Sequence, residues 1–256
     1  MKRYKGYLID LDGTMYRGKE RIEAASDFIL ALQKENIPYL FVTNNSSKRP
    51  EEVAAHLRSF DIPATPQQVF TTSQATANYI YDKKPSASIY PIGEDGLMSA
   101  LSEKSFEITD VQPDYVVIGI DREITYKKLA KACLAVRDGA TFISTNGDIA
   151  LPTERGLLPG NGAMTSVIAV STATQPIFIG KPESIIMEQA LKVLGVPREQ
   201  TLMVGDNYDT DIKAGMNTGL DTLLVHSGVT TKEILATISK KPTYVINSLS
   251  EWIEYI

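Results

Sequence analysis

The chain has 256 residues, of which 43% are hydrophobic and 22% charged. That is an ordinary globular balance, which excludes a disordered chain and leaves room for one large domain or two modest ones. A formal charge of −5 and a pI near 5.2 exclude the clustered basic surface that a nucleic-acid polymer or an acidic membrane requires. The one cysteine, Cys133, excludes an internal disulfide and a cysteine-built zinc site and fits a reducing compartment.

In chain order, YLIDL at 7–11 predicts a buried strand and 22–36 a helix with Ala25, Phe28, Ile29 and Leu32 on one face. Pro38 stops that helix, YLFV at 39–42 predicts the next strand, and a helix runs through Val53 and Leu57. ASIYPIG, DYVVIGI and ATFISTN predict strands in the middle, with a helix around 126–137. Cys133 lies in that helix, within LAKACLAV, where it is expected as a buried small hydrophobe. IFIG at 177–180 then predicts a strand, 182–194 a helix ending at Gly195, and TLMV at 201–204 a strand. A short helix reaches Ala214 and Gly215, and TLLV at 222–225 and TYVI at 243–246 complete the set. Strands alternating with helices imply an α/β fold with a parallel sheet covered on both faces.

The expected organisation is a catalytic core from 1–79 and 177–256 with a second α/β module, 80–176, inserted into it; one continuous sheet is the alternative. The N-terminal apolar run is too short for a signal peptide, and no run approaches the about 20 residues that span a bilayer, so a cytoplasmic protein is expected.

Ligands of open parallel sheets bind beyond the carboxyl ends of the strands. Four polar clusters fall at such ends. In DLDGT at 10–14, Asp10 and Asp12 share a face in extended geometry and need a cation or a shared proton to relieve their repulsion; Asp-Gly is also a common turn. Thr43, Asn44 and Asn45 offer donors to an anion, or an Asx turn before the next helix. Lys181 brings a point charge suited to phosphate, or is a solvated lysine. GDNYDTD at 205–211 holds Asp206, Asp209 and Asp211; a helix start explains Asp209 better than Asp206. Together these put carboxylates, a lysine and a Thr/Asn group around one crevice, the ligand set of a Mg²⁺–phosphate site. The Gly-rich nucleotide loops and the G-x-S-x-G elbow are absent, and neither His56 nor His226 sits beside the clusters.

In this order, DLDGT, Thr43, Lys181 and GDNYDTD resemble the four signature motifs of the haloacid dehalogenase (HAD) superfamily. FVTNN at 41–45, GKP at 180–182 and TNGD…PGNG across 145–162 resemble more narrowly its para-nitrophenylphosphatase and NagD-like branch, type IIA. The resemblance implies a Rossmann-like core with an inserted cap that selects substrate. It implies Asp10 as the nucleophile that becomes an aspartyl-phosphate, and Asp12 as the acid and base. Mg²⁺ would be held by Asp10, the Asp12 carbonyl and Asp206. Thr43 and Lys181 would hold the phosphoryl oxygens with Asn44 and Asn45 nearby, and Asp211, with Asn207 beside it, would orient Lys181 or a metal-bound water. Dehalogenases of the superfamily lack the second aspartate, so Asp12 speaks against dehalogenation.

The expected function is Mg²⁺-dependent hydrolysis of a small phosphorylated metabolite by a monomer or homodimer. A phosphotransferase or phosphomutase, or a regulatory protein without catalysis, is the alternative. Asn146 and Asp148 are the candidate cap residues, with Glu154 and Arg155 behind them. PGNG at 159–162 is expected to be a turn, and Asp121 and Tyr126 to serve helix capping or core packing.

Overall fold

The computed structural model describes residues 2–153 and 155–256, in two compact units. The first comprises the chain through Thr43, Pro50–Phe70 and Lys181–Ile256; the second comprises Asn44–Arg49 and Thr71–Gly180.

The first unit is built on a six-stranded sheet. Its strand Gly6–Ile9 is buried at every residue and pairs in parallel with Tyr39–Thr43 on one side and Thr201–Gly205 on the other. Asp221–Val225 and Tyr244–Ile246 continue the sheet in parallel beyond Thr201–Gly205, and Val69–Thr71 forms the opposite edge. Continuous apolar runs such as YLI, LFV and LMV are what strands covered on both faces require. The chain builds outward from Gly6–Ile9 to one edge, then returns to build the other half from Thr201–Gly205. The winding therefore reverses between these two neighbours, and at such a switch point the loops after the strands part to leave a crevice.

Helix Glu23–Lys34 buries Ala25, Phe28, Ile29 and Leu32. They join Tyr7, Ile9, Phe41 and Val204 in one apolar cluster with Leu249 and Trp252 of the C-terminal 3₁₀ turn. Each large side chain so buried contributes about 1.5–3 kcal/mol. The Trp252 indole N–H, fully buried, donates to the Tyr7 hydroxyl at 3.2 Å. The short helix expected after 204 begins as a π-type turn, Tyr208–Ile212, before Lys213–Thr218.

The second unit has its own five-stranded sheet, with Ile177–Phe178, Thr141–Ser144, Tyr115–Ile118, Ser88–Ile92 and Glu107–Ile108 in that order, every pair parallel. The fold is therefore α/β, with a parallel core sheet and a second parallel sheet inserted between its halves. One expectation needs correction. The IFIG segment does not add a strand to the first sheet; Ile177 and Phe178 pair with Ile143 and Ser144 at the edge of the second. A short apolar run satisfies any half-covered edge, so its pattern does not say which sheet it joins.

Four helices flank this sheet in sequence: Thr72–Lys83, Asp95–Glu103, Tyr126–Arg137 and Asn161–Thr172. PGNG is not a free-standing turn. Gly160 is the N-cap of the last helix and Asn161 its first residue, and β-carbons at Gly160 and Gly162 would run into the Asp148 and Gly147 carbonyls. Asp121 is buried and braces the entry to helix Tyr126–Arg137, accepting from the Glu123 N–H at 2.9 Å and the Lys128 ammonium at 2.7 Å. Thr125 provides the cap. Tyr126 is 86% exposed, so the first turn of that helix points it to solvent rather than into a core. Cys133 is half-buried against the cluster of Val116, Val136 and Phe142. Among the described residues no helix is long and apolar enough to cross a membrane.

Candidate active site

The reversal of winding in the first unit places two aspartates side by side. Asp10 leaves strand Gly6–Ile9 with its N–H on the Val204 carbonyl, 2.9 Å away. Asp206 follows Thr201–Gly205, and the π-type turn returns Asp211 to the same place. Ligand oxygens of Asp10, Asp206 and Asp211 all lie within 4.8 Å of one another, and all three residues are buried. The Thr14 hydroxyl lies 3.1 Å from Asp206 Oδ1 and 3.4 Å from Asp10 Oδ2, so its one proton serves either carboxylate.

Lys181 is 3% exposed. Its ammonium pairs with Asp10, lies 2.8 Å from Asp211 Oδ1 and donates to the Val42 carbonyl at 3.1 Å. Burial alone would lower its pKa, but the charges of Asp10 and Asp211 outweigh it and hold the group protonated. One cation cannot neutralise three carboxylates. Burial, then the Asp211 charge, push Asp10 well above the ordinary carboxylate range. The same two causes push Asp206 up to about 6, against the Val229 N–H and Thr14 hydrogen bonds that favour its anion.

Such close approach is possible only without side chains in the way. A β-carbon on Gly13, which sits at φ +95°, would collide with the Asp206 carboxylate, and one on Gly205 with Asp211. The DLDGT glycine is thus required by the fourth cluster as much as by its own turn.

Asp12 stands apart from the three carboxylates. It is exposed, and its Oδ1 accepts the Gly18 N–H at 3.1 Å within the hairpin of Tyr16–Arg17 and Glu20–Arg21. Tyr16, in this hairpin, stacks on Phe60 at 5.0 Å; burial first, then Asp12 and Asp10, raise its pKa and keep the phenol protonated. Thr43 ends strand Tyr39–Thr43, and the Asn207 side chain accepts the Asp209 N–H at 3.0 Å. Thr14, within hydrogen-bond reach of Asp10 and Asp206, is a residue of this group that the sequence alone did not single out. It lies within DLDGT, four residues after Asp10.

In the second unit, Asn44 and the cap candidates form one web. Asn44 Nδ2 donates to both oxygens of Asp148 at 3.2 and 3.3 Å. Asn146 Nδ2 donates to the Asn44 carbonyl at 2.8 Å, and its Oδ1 accepts the Asp148 N–H at 3.1 Å. Beneath them, buried Asn161 Nδ2 lies 2.8 Å from the Asn146 carbonyl and 3.0 Å from Ser144 Oγ. Asn45 spends its carbonyl on an Asx turn, accepting from the Ser47 and Lys48 N–H groups. Arg155 is exposed at the tip of the hairpin of Ala150–Thr153 and Gly156–Pro159, and Glu154 lies outside the described residues.

Three clustered carboxylates with hydroxyl and backbone donors around them form an all-oxygen set that fits a hard divalent cation. Asp10 and Asp206 are pushed upward by burial first and by the Asp211 charge second, and a bound cation would relieve the second of these.

Two family models match the chain: "haloacid dehalogenase-like hydrolase" over residues 7–107 and "HAD-hydrolase-like" over 178–252. The chain is 63% identical to the 5'-nucleotidase YutF of Bacillus subtilis, over 100% of both chains. It is 54% identical to an acid sugar phosphatase of Staphylococcus aureus, over 99% of this chain and 98% of that one. A solved structure, that of a mutant of the thermostable p-nitrophenylphosphatase from Bacillus stearothermophilus, is 64% identical and superposes with a TM-score of 0.92, covering 98% of this chain and 99% of that one.

Proposed function

Because this chain belongs to the haloacid dehalogenase-like hydrolases, in the p-nitrophenylphosphatase branch, we propose that it hydrolyses small phosphate monoesters through a phosphorylated Asp10. The observation that carries the reading is the buried group of Asp10, Asp206 and Asp211 around Lys181.

Asp10 attacks phosphorus and the ester oxygen departs, leaving an aspartyl-phosphate. Asp12, exposed beside the hairpin, protonates that leaving oxygen and then takes a proton from the water that cleaves the acyl phosphate. Lys181 and Thr43 hold the phosphoryl oxygens, with Asn44 and Asn45 next along the chain. Asp211 fixes the Lys181 ammonium. Asp10, Asp206 and the Asp12 carbonyl would hold Mg²⁺, which would supply charge neutralisation between the attacking carboxylate and the phosphate dianion.

The inserted module built on the second sheet serves as the substrate-selecting cap domain, with Asn146 and Asp148 as its reading residues. The names of the relatives direct attention to 5'-nucleotides and sugar phosphates as partners. A single cysteine suits a reducing cytoplasm.

The test is hydrolysis of p-nitrophenyl phosphate with and without Mg²⁺ by the wild type and Asp10→Asn, followed by a panel of nucleotides and sugar phosphates. Mg²⁺-dependent turnover that vanishes in the variant supports the reading. Full activity in Asp10→Asn removes Asp10 as the nucleophile.

A further inference from the structure

The loop of residues 226–230 follows strand Asp221–Val225 and has no regular backbone pattern, yet hydrogen bonds tie it down at His226, Ser227, Val229 and Thr230. Thr230 is 3% exposed and makes three of these bonds. Its N–H donates to the Asp206 carbonyl at 3.1 Å, its hydroxyl oxygen accepts the Tyr208 N–H at 2.8 Å, and its carbonyl lies 2.8 Å from His226 Nδ1. A carbonyl only accepts, so the His226 ring carries its proton on Nδ1 and closes the loop on itself. At the other end, Ser227 Oγ donates to the Gly13 carbonyl at 2.6 Å.

Between these anchors the loop presses on Asp206. The Val229 N–H donates to Asp206 Oδ2 at 2.7 Å, and a β-carbon on Gly228 would collide with that same oxygen. Oδ1 is occupied by the Thr14 hydroxyl. Oδ2 thus has its own donor in the loop, and Oδ1 faces a hydroxyl whose proton it shares with Asp10; together they set the plane of the group and leave the remaining lone pairs to a metal. Outer partners of this kind orient metal-binding carboxylates, and their removal typically costs about 10–100-fold in affinity.

We propose that residues 226–230 form a strap, keyed by Thr230, that presets the Asp206 carboxylate for the divalent cation; this rests on the reading of Asp206 as a metal ligand. Thr230 is a positioning residue. It touches neither substrate nor ion, and acts by holding Val229 against Asp206 and by satisfying the N–H of Tyr208, two residues beyond Asp206. Ser227 ties the same strap to the turn that follows Asp10, so one segment fixes the ends of both central strands.

The experiment is calorimetric titration of Mg²⁺ into the metal-free protein, for the wild type, Asp206→Asn, Thr230→Val, Thr230→Ser and Ser227→Ala. Thr230→Val keeps the size of the side chain and loses the acceptor; Thr230→Ser keeps the acceptor. The expected result is a loss of binding in Asp206→Asn, about tenfold weaker binding in Thr230→Val, recovery in Thr230→Ser, and a smaller weakening in Ser227→Ala. A packing role alone would lower the melting temperature of Thr230→Val without moving its Mg²⁺ affinity. Wild-type affinity in both Thr230→Val and Ser227→Ala, with Asp206→Asn impaired, overturns the strap and leaves the ligand reading standing. Should Thr230→Val not fold, Ser227→Ala decides the matter. Unchanged binding in Asp206→Asn overturns the ligand reading itself, and the strap with it.

Discussion

The Lys181 ammonium and the Asp211 carboxylate lie 2.8 Å apart with only 3% and 1% of their side chains exposed. Lys181 also pairs with Asp10, so the cluster carries one positive charge against three carboxylates. That asymmetry predicts an order of effects. Lys181→Met strips this ammonium from the group and should cost about 3–5 kcal/mol in metal-free protein at neutral pH, the usual penalty for orphaning a buried charge. Asp211→Asn removes one of the surplus negatives and should cost less. Urea unfolding of both variants in chelator tests the order, and the reverse ranking would show that the cluster is not overcharged.

The pH dependence of stability follows from the same surplus. Asp206 is pushed up to about 6 in the folded protein, against about 3.9 for an unperturbed aspartate. The folded state therefore binds this proton more tightly than the unfolded chain does. The stabilisation is complete below about pH 4 and is lost as the pH rises through about 6, with about 1 kcal/mol given up between pH 5 and pH 7. Burial and the neighbouring carboxylate raise Asp10 in the same direction. In chelator, the melting temperature should fall from pH 5 to pH 7, and excess Mg²⁺ should raise it more at pH 7 than at pH 5. A metal-free protein that grows more stable over that interval would contradict the assignment.

Gly13→Ala should separate a turn requirement from a site requirement. Gly13 sits at φ +95° with Asp206 where a β-carbon would be, whereas Gly18 sits at φ +57° with nothing within 4 Å. Gly18→Ala meets backbone strain alone, about 1 kcal/mol. Gly13→Ala adds a displaced carboxylate, so both thermal stability and Mg²⁺ affinity should fall, whereas Gly18→Ala should leave the affinity in place. Equal Mg²⁺ affinities in the two variants would refute the steric argument.

In the second unit, Asn161 Nδ2 faces four acceptors, while its Oδ1 has no hydrogen-bond partner among the described residues. The residue is there to donate. Asn161→Ala should cost about 1–3 kcal/mol for the acceptors left unmet. Asn161→Asp should cost more, because it sets a second acceptor among them. Unfolding followed by far-UV circular dichroism gives the comparison, and the proposal of a pure donor fails if aspartate is the milder change.

Much of the core was legible because its signals are local. GYLI, YLFVT and TLMVG are buried strands ending at Asp10, Thr43 and Asp206, as continuous apolar runs followed by polar breaks predict. Lys181 was found for a partly mistaken reason: it reaches the carboxylates from chain returning out of the second sheet, not from a strand of the first. Helix Thr72–Lys83 is not legible from an apolar stripe, because Thr72, Ser73 and Thr76 share its buried positions with Ala75, Ala77 and Ile80. Its hydroxyls are satisfied within the unit, Thr72 on the Thr145 carbonyl and Ser73 on the Ser46 carbonyl. The available clue was the capping box of Thr71 and Gln74. The strap at 226–230 had no such clue, since its bonds are mostly to backbone atoms and connect residues far apart in sequence.

Trp252 is the only tryptophan in the chain, and it is sealed beneath helix Glu23–Lys34 with its N–H on Tyr7. The molecule thus carries a tryptophan, which can be excited apart from the tyrosines, in one of its two units and none in the other. Emission from Trp252 follows the melting of the six-stranded half, while circular dichroism follows both halves. Denaturation curves that separate between these two signals would identify which half lets go first, without a label or a mutation.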